Sequence, residues 1–277
     1  MQETGSVLDN IRENYGELFA AEKKIADFVL EHSRAAVSLN VSELAEQSGT
    51  SEATVIRFCK HLGYTGFNTM KLQLAHDLGR DALINGHSAA RPANARDYLE
   101  RQAKSILEMG ERLDVDAVEK CVALLANCGT VHLVATGNTL SVAMDFDFRL
   151  GYIGIRTSSS YQFEHQLTSI LLARPDDVVF AISHSGSSSS VLRVFQQAKE
   201  RGLATVAITD TKRTPLSPYA DIVLAAEVKS TQLSLFGAES HIYLLSIIDT
   251  LVYLTAQKMG DDGGVRRVEM LLSENKL

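Results

Sequence analysis

The chain has 277 residues, of which 45% are hydrophobic and 22% are charged. This length and composition are typical of a soluble globular protein with room for one large domain or two ordinary ones. Its formal net charge of −7 excludes a basic surface over the whole molecule, so any affinity for nucleic acid must arise locally.

The amino terminus and the longest apolar stretch indicate neither secretion nor a membrane anchor. The first residues lack the basic start and apolar core of a secretory signal. The longest apolar stretch, 242–256, contains Asp249 and is shorter than the roughly 20 residues that a bilayer span needs. The three cysteines have no metal-binding spacing and are expected to be reduced thiols. We therefore expect a cytoplasmic protein with no membrane partner, no metal site and no cofactor.

The hydrophobic periodicity divides the chain into two parts. Apolar residues from 18 to 78 recur at helical spacing, which predicts an all-α domain. Beyond residue 130 the runs "VHLVA", "IGI", "VVFAI", "ATVAI" and "DIVLA" alternate with helical patterns, which predicts a doubly wound, flavodoxin-like parallel sheet. The segment 79–97 is rich in Gly, Ala and Asn and is expected to be a linker. The predicted divisions are a helical domain (1–80), a linker and connecting helix (81–112), an α/β domain (113–260) and a tail (261–277).

The segment "LNVSELAEQSGTSEATVIRFCKHLGYTGF" predicts two helices joined by a short turn. Asn40 and Glu43 have the spacing of a capping box at the start of the first helix. Gly49 supplies the turn, and Ser51 caps a second helix that ends at Gly63. Two helices with this connection form a helix-turn-helix unit.

The second helix of this unit has an apolar and a polar face. The apolar side chains that are expected to face the core are Val55, Phe58, Cys59 and Leu62. The residues that are expected to lie outside and to contact DNA are Ser51, Glu52, Thr54, Arg57, Lys60 and His61. Small hydrogen-bonding residues at its start suit entry into a major groove, where Arg57 would contact guanine and Lys60 a phosphate. A plain helical bundle with solvated Arg57 and Lys60 is the alternative.

The charge of this helical domain is the main objection to DNA binding. Residues 1–80 contain 8 Lys and Arg against 11 Asp and Glu, a net charge of −3, whereas non-specific DNA affinity comes mostly from neutralising phosphates. Between residues 54 and 71, however, no residue is acidic, while Arg57, Lys60 and Lys71 are basic. This local excess of basic residues favours operator DNA as a partner. A homodimer or homotetramer would present the same basic segment more than once.

Six serines lie between Ser183 and Ser190, directly after the apolar run "VVFAI". The residues that follow them, "VLRVFQQA", predict an amphipathic helix. The serines are thus expected at the carboxyl end of a strand and the amino end of a helix, where open α/β sheets bind ligands and where phosphate is favoured. The predicted phosphate-binding residues in this row are Ser183, Ser185, Gly186, Ser187 and Ser188. An ordinary polar loop with one capping serine is the alternative, and no glycine elbow indicates a catalytic serine.

A second strand-to-helix turn, in "VHLVATGNTLS", is expected at the same edge of the sheet. It contains Gly137, and Asn138, Thr139 and Ser141 supply hydrogen-bond donors. One glycine in a turn carries little weight, but this is the first such junction of the sheet and should lie beside the serine row.

These segments together resemble a known family. "AISHSGSSSSVL" is similar to the phosphate loop of SIS (sugar isomerase) domains, with the pattern Ser-x-Ser-Gly-x-Ser/Thr after a buried strand. "AEKKIADFVLEH", "SELAEQSGTSEATVIRFCKHLGYTGF" and "MKLQLA" resemble the amino-terminal part of RpiR-type transcriptional regulators. The resemblance covers about residues 7–258 and implies a helix-turn-helix DNA-binding domain followed by a sugar-phosphate-sensing SIS domain. It implies phosphate binding by Thr139, Ser183, Ser185 and Ser188, and DNA contact by Ser51, Thr54 and Arg57.

SIS domains also occur in isomerases, so a sugar-phosphate isomerase is the alternative function. Ketose–aldose interconversion needs a general base, and the candidates are Glu164, His165, Glu239 and His241. The attached helix-turn-helix favours a chain that reports its ligand, and therefore no catalytic residue is expected. We expect a DNA-binding regulator of carbohydrate metabolism with a phosphorylated sugar as effector. The candidate sugar contacts are Gly137, Asn138, His165 and His241.

Overall fold

The computed structural model describes residues 6–85, 94–227 and 241–260, together with Met270 and Ser273. The described residues fall into two compact units, one up to Arg101 and the other from Gln102 onward.

The described residues of the first unit are helical, as predicted. Its helices are α1 (Val7–Asn14), α2 (Ala20–Glu31), α3 (Ser33–Ser38), α4 (Val41–Gln47), α5 (Glu52–His61) and α6 (Phe67–Asn85), followed by the start of α7 (Ala95–Arg112). One apolar core joins α1 to α6, with Ile11, Ile25, Leu44 and Phe58 fully buried. Burial of these side chains holds the short helices together, since isolated helices of this length are marginal in water.

The predicted caps of the helix-turn-helix are confirmed. The Asn40 side chain accepts a hydrogen bond from the Glu43 N–H at 3.0 Å, and the Glu43 carboxylate accepts from the Asn40 N–H at 2.7 Å. The Ser51 hydroxyl accepts from the Thr54 N–H at 3.3 Å and begins α5. Gly49 has a φ of +63° in the turn between them, a conformation that glycine adopts at no steric cost.

The predicted linker begins later than the composition indicated. Residues 79–85 continue α6, and α7 begins at Ala95 instead of Asp97. A lone glycine such as Gly79 costs a helix only about 1 kcal/mol, and good helix formers follow it. Residues 86–93 of the predicted linker and most of the tail lie outside the described residues.

The second unit contains the predicted flavodoxin-like sheet. Its strands are β1 (Val131–Val134), β2 (Thr157–Ser158), β3 (Val178–Ile182), β4 (Ala204–Thr209) and β5 (Ile222–Ala225), all parallel and in the order β2-β1-β3-β4-β5. Helices α8 (Val115–Leu125), α9 (Leu140–Tyr152) and α12 (Ile242–Met259) pack on one face. Helices α10 (Phe163–Leu171) and α11 (Ser189–Glu200) pack on the other. This double cover explains why β3 is buried throughout its length.

One predicted strand is wrong. The run "IGI", residues 153–155, ends α9, and the strand follows at Thr157. Gly154 has a φ of +86°, its N–H bonds to the Gly151 carbonyl, and the Ile155 N–H bonds to the Leu150 carbonyl. This is the Schellman ending of a helix, in which an apolar residue after the glycine packs on the core. Ile155 is buried for that reason.

The apolar stretch at 242–256 forms most of α12, as expected of a buried helix. Leu244, Ile247, Ile248 and Leu251 are fully buried in the core of the second unit. Over the described ranges, no helix combines the length and apolar character needed to cross a membrane.

The Asp177 carboxylate stabilises the amino end of the sheet through hydrogen bonds that depend on pH. Its carboxylate accepts hydrogen bonds from the N–H groups of Thr130 and Arg174 and contacts the His132 ring at 3.2 Å. Burial by itself raises the pKa of Asp177, but the bonds from Arg174, His132 and Thr130 outweigh burial and hold its pKa below the ordinary value.

We predict that Asp177→Asn lowers the free energy of unfolding at pH 7 by about 2 kcal/mol, because an amide cannot replace the carboxylate as acceptor for all three donors. Since the folded pKa is depressed, this stabilisation is complete above the ordinary pKa of about 4 and is lost as the pH falls through the folded pKa. Urea unfolding of the wild type and of Asp177→Asn between pH 7 and pH 3 measures this stabilisation. Asp176→Asn is the control, because Asp176 is exposed. A difference in unfolding free energy between wild type and Asp177→Asn that stays constant down to pH 3 would contradict the prediction.

Candidate functional site

The serine row forms a tight loop between β3 and α11. The Ser183 N–H still donates to the Ile208 carbonyl at 3.1 Å, so β3 pairs with β4 up to this residue. The Ser183 hydroxyl then accepts from the Gly186 N–H at 3.2 Å. Gly186 has a φ of +60°, which turns the backbone toward the start of α11 at Ser189. The loop therefore ends at a helix amino terminus, where free N–H groups and the helix dipole favour an anion.

The hydroxyls of this loop form two hydrogen-bonded groups. Those of Ser185 and Ser187 are 2.7 Å apart, and those of Ser188 and Ser190 are 3.2 Å apart. The Ser188 hydroxyl also lies 2.9 Å from that of Thr136, in the loop after β1. A hydroxyl is both donor and acceptor, and its hydrogen rotates freely, so both groups can turn their donors toward a bound oxyanion.

The loop after β1 lies beside the serine row, as the strand order requires. It forms a short 3₁₀ turn from Gly137 to Thr139 before α9, and Gly137 and Asn138 are exposed. Thr139 is only 4% exposed, and its hydroxyl donates to the Thr136 carbonyl at 3.0 Å. Thr136, which the sequence analysis did not select, is the residue of this loop that contacts the serine row. Its position two residues after the end of β1 was the signal that could have identified it.

The two predicted sugar-contact histidines lie in different settings. His165 on α10 is exposed, as is its neighbour Glu164. Gln166 is the buried residue of this turn, and its amide donates to the carbonyls of Ala135 at 2.9 Å and Ser160 at 2.7 Å. Gln166 thus ties α10 to the loop after β1, a role that sequence alone did not indicate.

His241, in contrast, contacts a residue of the serine row. Its Nδ1 is 3.0 Å from Nε2 of His184, whose Nδ1 is 2.9 Å from the Asp210 carboxylate. Neither His184 nor Asp210 was predicted as a site residue. Asp210 directly follows β4, so the rule that places ligands at the carboxyl edge of parallel strands could have found it. The remaining general-base candidate, Glu239, lies outside the described residues.

Helix α5 presents part of the predicted DNA-contacting face. Ser51, Arg57 and Lys60 are exposed and Glu52 is partly exposed, consistent with the predicted face. Thr54 corrects the prediction, since it is 6% exposed and its hydroxyl lies 2.9 Å from that of Ser51. Being one turn into the helix beside the core residue Val55, it packs inward.

His61 is exposed, as expected, but it also contacts the neighbouring helix. Its Nδ1 lies 3.0 Å from the carboxylate of Glu22, a buried residue on α2, and its ring lies beside that of Phe19. His61 therefore joins the end of α5 to α2 and orients the helix, although its ring remains partly exposed.

We predict that Gly186→Ala destabilises the second unit far more than Gly137→Ala. Both glycines have positive φ, but a Cβ on Gly186 would lie 2.5 Å from Thr214 Cβ and Oγ1, whereas a Cβ on Gly137 meets nothing within 4 Å. Backbone strain alone costs about 1 kcal/mol, and overpacking adds about 2 kcal/mol at Gly186. Denaturant unfolding of the two variants measures the difference. Equal losses of stability would contradict the packing of Thr214 on this loop.

Comparison with known proteins supports this division of roles. Residues 5–81 match the helix-turn-helix domain of the rpiR family, and residues 124–251 match the SIS domain. An uncharacterized HTH-type transcriptional regulator of Thermotoga maritima is 32% identical, over 91% of this chain and 92% of that protein. The bifunctional protein glk of Paraburkholderia xenovorans is 29% identical over 88% of this chain, which spans only 39% of that protein.

The fold is also shared with a solved structure. The Vibrio vulnificus NanR protein complexed with ManNAc-6P superimposes with a TM-score of 0.85 at 22% identity, covering 97% of this chain and 98% of that one. On the evidence of the two matched domains and of the Thermotoga relative, the chain belongs to the rpiR family of helix-turn-helix transcriptional regulators that carry a SIS domain.

Proposed function

We propose that this regulator controls genes of carbohydrate metabolism and that its SIS domain binds a phosphorylated sugar as effector. The observation that carries the proposal is the group of hydroxyls at the amino terminus of α11, joined to the loop after β1 through Ser188 and Thr136. Neutral donors at a helix amino terminus bind phosphate without a fixed cation, which suits a ligand that must also leave. The NanR structure of the same fold is described as a complex with ManNAc-6P, itself a phosphorylated sugar.

The proposed phosphate-binding residues are Thr139, Ser183, Ser185, Gly186, Ser187 and Ser188, and we add Thr136 to them. Since the Thr139 hydroxyl donates within its own turn, its contribution to this site is to hold that turn. The proposed sugar contacts remain Gly137, Asn138, His165 and His241, and the proposed domain bounds remain 1–80 and 113–260.

The proposed mechanism is a change in operator affinity on effector binding. The regulator acts as a homodimer or homotetramer, and half-sites on DNA are spaced by about 34 Å per helical turn. A shift of a few ångströms between two DNA-binding domains prevents both from docking. Allosteric coupling of about 1–3 kcal/mol changes affinity roughly 5- to 150-fold, which suffices for a switch.

We predict that Ser183→Ala combined with Ser185→Ala removes the effector response while leaving DNA binding within about twofold, since hydroxyl donors to the phosphoryl group are lost. Thermal-shift assays with a panel of phosphosugars measure effector binding, and fluorescence anisotropy with DNA selected in vitro by the wild type measures DNA affinity. Ser189→Ala, an exposed serine in the first turn of α11, is the matched control. Survival of the ligand-induced shift in the double variant would refute the proposed site.

We predict the opposite pattern for Arg57→Ala. Loss of a base contact by this exposed side chain costs about 1–3 kcal/mol, so DNA affinity should fall roughly 5- to 150-fold while the thermal shift with phosphosugars is unchanged. Arg12→Ala is the control, because Arg12 is an exposed arginine of the same unit on α1, paired with Asp9. Equal DNA affinities of the Arg57 and Arg12 variants would argue against α5 as the recognition helix.

The alternative function, a sugar-phosphate isomerase, has its own test. Glu164 and His165 are exposed on α10, so a base of this pair would act in solvent instead of in a closed site. Incubation of the purified protein with each phosphosugar that binds, followed by NMR, should show the sugar unchanged. Conversion to the isomer would establish the enzyme instead.

A further inference from the structure

The solvent-exposed face of α5 carries one large apolar side chain. The helix packs on the core of the first unit through Val55, Phe58 and Cys59, which are fully buried. Ile56 is 40% exposed and is not one of the side chains of that core. The exposed side chains of α5 recur at helical spacing and so share one face, and they are Ala53, Ile56, Arg57, Lys60 and His61.

Helix stability does not explain the presence of isoleucine at this position. Isoleucine forms helices less readily than Arg, Lys, Gln or Glu, which also interact better with water. Single exposed apolar side chains are common on proteins, so exposure alone says little about Ile56. Its position is more informative, because Arg57 follows it directly and Lys60 lies one turn further on the same face.

The exposed face of α5 is held in a fixed orientation at both ends of the helix. In the first turn, the Glu52 carboxylate accepts a hydrogen bond from the Ser42 hydroxyl on α4. At the last residue, Nδ1 of His61 lies 3.0 Å from the Glu22 carboxylate on α2. Ile56 lies between these two contacts, so the helix presents it in one orientation and little ordering is needed when a partner binds.

The charges around Ile56 favour duplex DNA over an apolar protein surface as its partner. No residue between 54 and 71 is acidic, so Arg57 and Lys60 have no carboxylate beside them in this segment. The Glu52 carboxylate, one turn before Ile56, already accepts the hydrogen bond from α4. Burial of the two basic groups against an apolar partner would cost free energy, whereas the phosphates of DNA neutralise them.

Thymine is the base that presents an apolar group in the major groove. Its C5 methyl group lies beside its O4 acceptor, whereas the other three bases present hydrogen-bond donors and acceptors there. A guanidinium or ammonium group does not recognise a methyl group, but the branched side chain of Ile56 can pack on it and exclude water. Ala53, one turn earlier on the same face, is small and leaves room for the base edge.

We propose that Ile56 recognises a thymine of the operator by packing on its C5 methyl group. This thymine lies beside the base that Arg57 contacts, because the two residues are adjacent on the helix. Ile56 thus contributes sequence specificity, while Lys60 contacts the phosphate backbone. The inference rests on the proposed function, since it requires α5 to be the recognition helix, and it adds a base contact to those expected from the sequence.

Replacement of thymine by deoxyuridine tests the inference, because it removes the methyl group and leaves the hydrogen-bonding groups of the base unchanged. Each thymine of the DNA selected in vitro by the wild type is replaced in turn, and fluorescence anisotropy gives the affinity of the 277-residue protein. For the wild type we expect affinity to fall about fourfold at one position, the effect of one buried methyl-sized group. Ile56→Ala should bind the thymine and deoxyuridine forms equally, and Ile56→Val, which keeps a branched side chain, should retain most of the discrimination.

Leu72→Ala is the matched control, because Leu72 is an exposed apolar residue on α6 in the same unit. It should keep the wild-type discrimination, and both alanine variants should unfold at the wild-type temperature because the side chains they replace are exposed. Deoxyuridine that has no effect at any position, or the same effect in the wild type and Ile56→Ala, would overturn the inference while leaving recognition by Arg57 intact. DNA affinity that is unchanged in both Arg57→Ala and Ile56→Ala would overturn the inference and the proposed recognition helix together.

Discussion

The parallel strands β1, β3 and β4 end at one edge of the sheet, and the proposed effector site depends on that constraint. Parallel pairing carries the chain out of each strand on the same side, so the loops after the three strands must meet. Thr136, Ser188 and Asp210 come from these three loops: the hydroxyls of Thr136 and Ser188 are 2.9 Å apart, and Asp210 contacts His184 in the same loop as Ser188. Gly186 packs against Thr214 so closely that a side chain at this position would overlap it.

The acidic balance of the first unit is compatible with DNA binding because several of its carboxylates have internal roles. Glu22 is buried against His61, and Glu43 closes the capping box of α4. Asp77 is buried and accepts from the Val7 N–H at 2.8 Å. These charges hold helices together instead of lying on the face of α5, where Arg57 and Lys60 are exposed. The net charge of a domain therefore says little about the charge of its recognition surface.

The sequence predicted the features that depend on local chemistry, and it missed the features that depend on contacts between distant segments. The caps at Asn40 and Ser51, the buried run of β3 and the strand order follow from short-range patterns and from general rules of α/β topology. The strand assigned to "IGI" was wrong, because a Schellman ending and a buried strand have the same apolar residues around a glycine. Thr54 and the pairing of His184 with His241 depend on which side chains meet across distant segments, and no spacing in the sequence reports that.

A single comparison can decide whether the hydroxyl loop after β3 binds a phosphoryl group, as we propose. Calorimetric titration of the purified 277-residue chain with a phosphorylated sugar and with the same sugar lacking phosphate isolates the contribution of the phosphoryl group. We expect saturable binding of the phosphorylated sugar, and for the unphosphorylated sugar no binding or binding weaker by orders of magnitude. Equal affinities for the two sugars would contradict it.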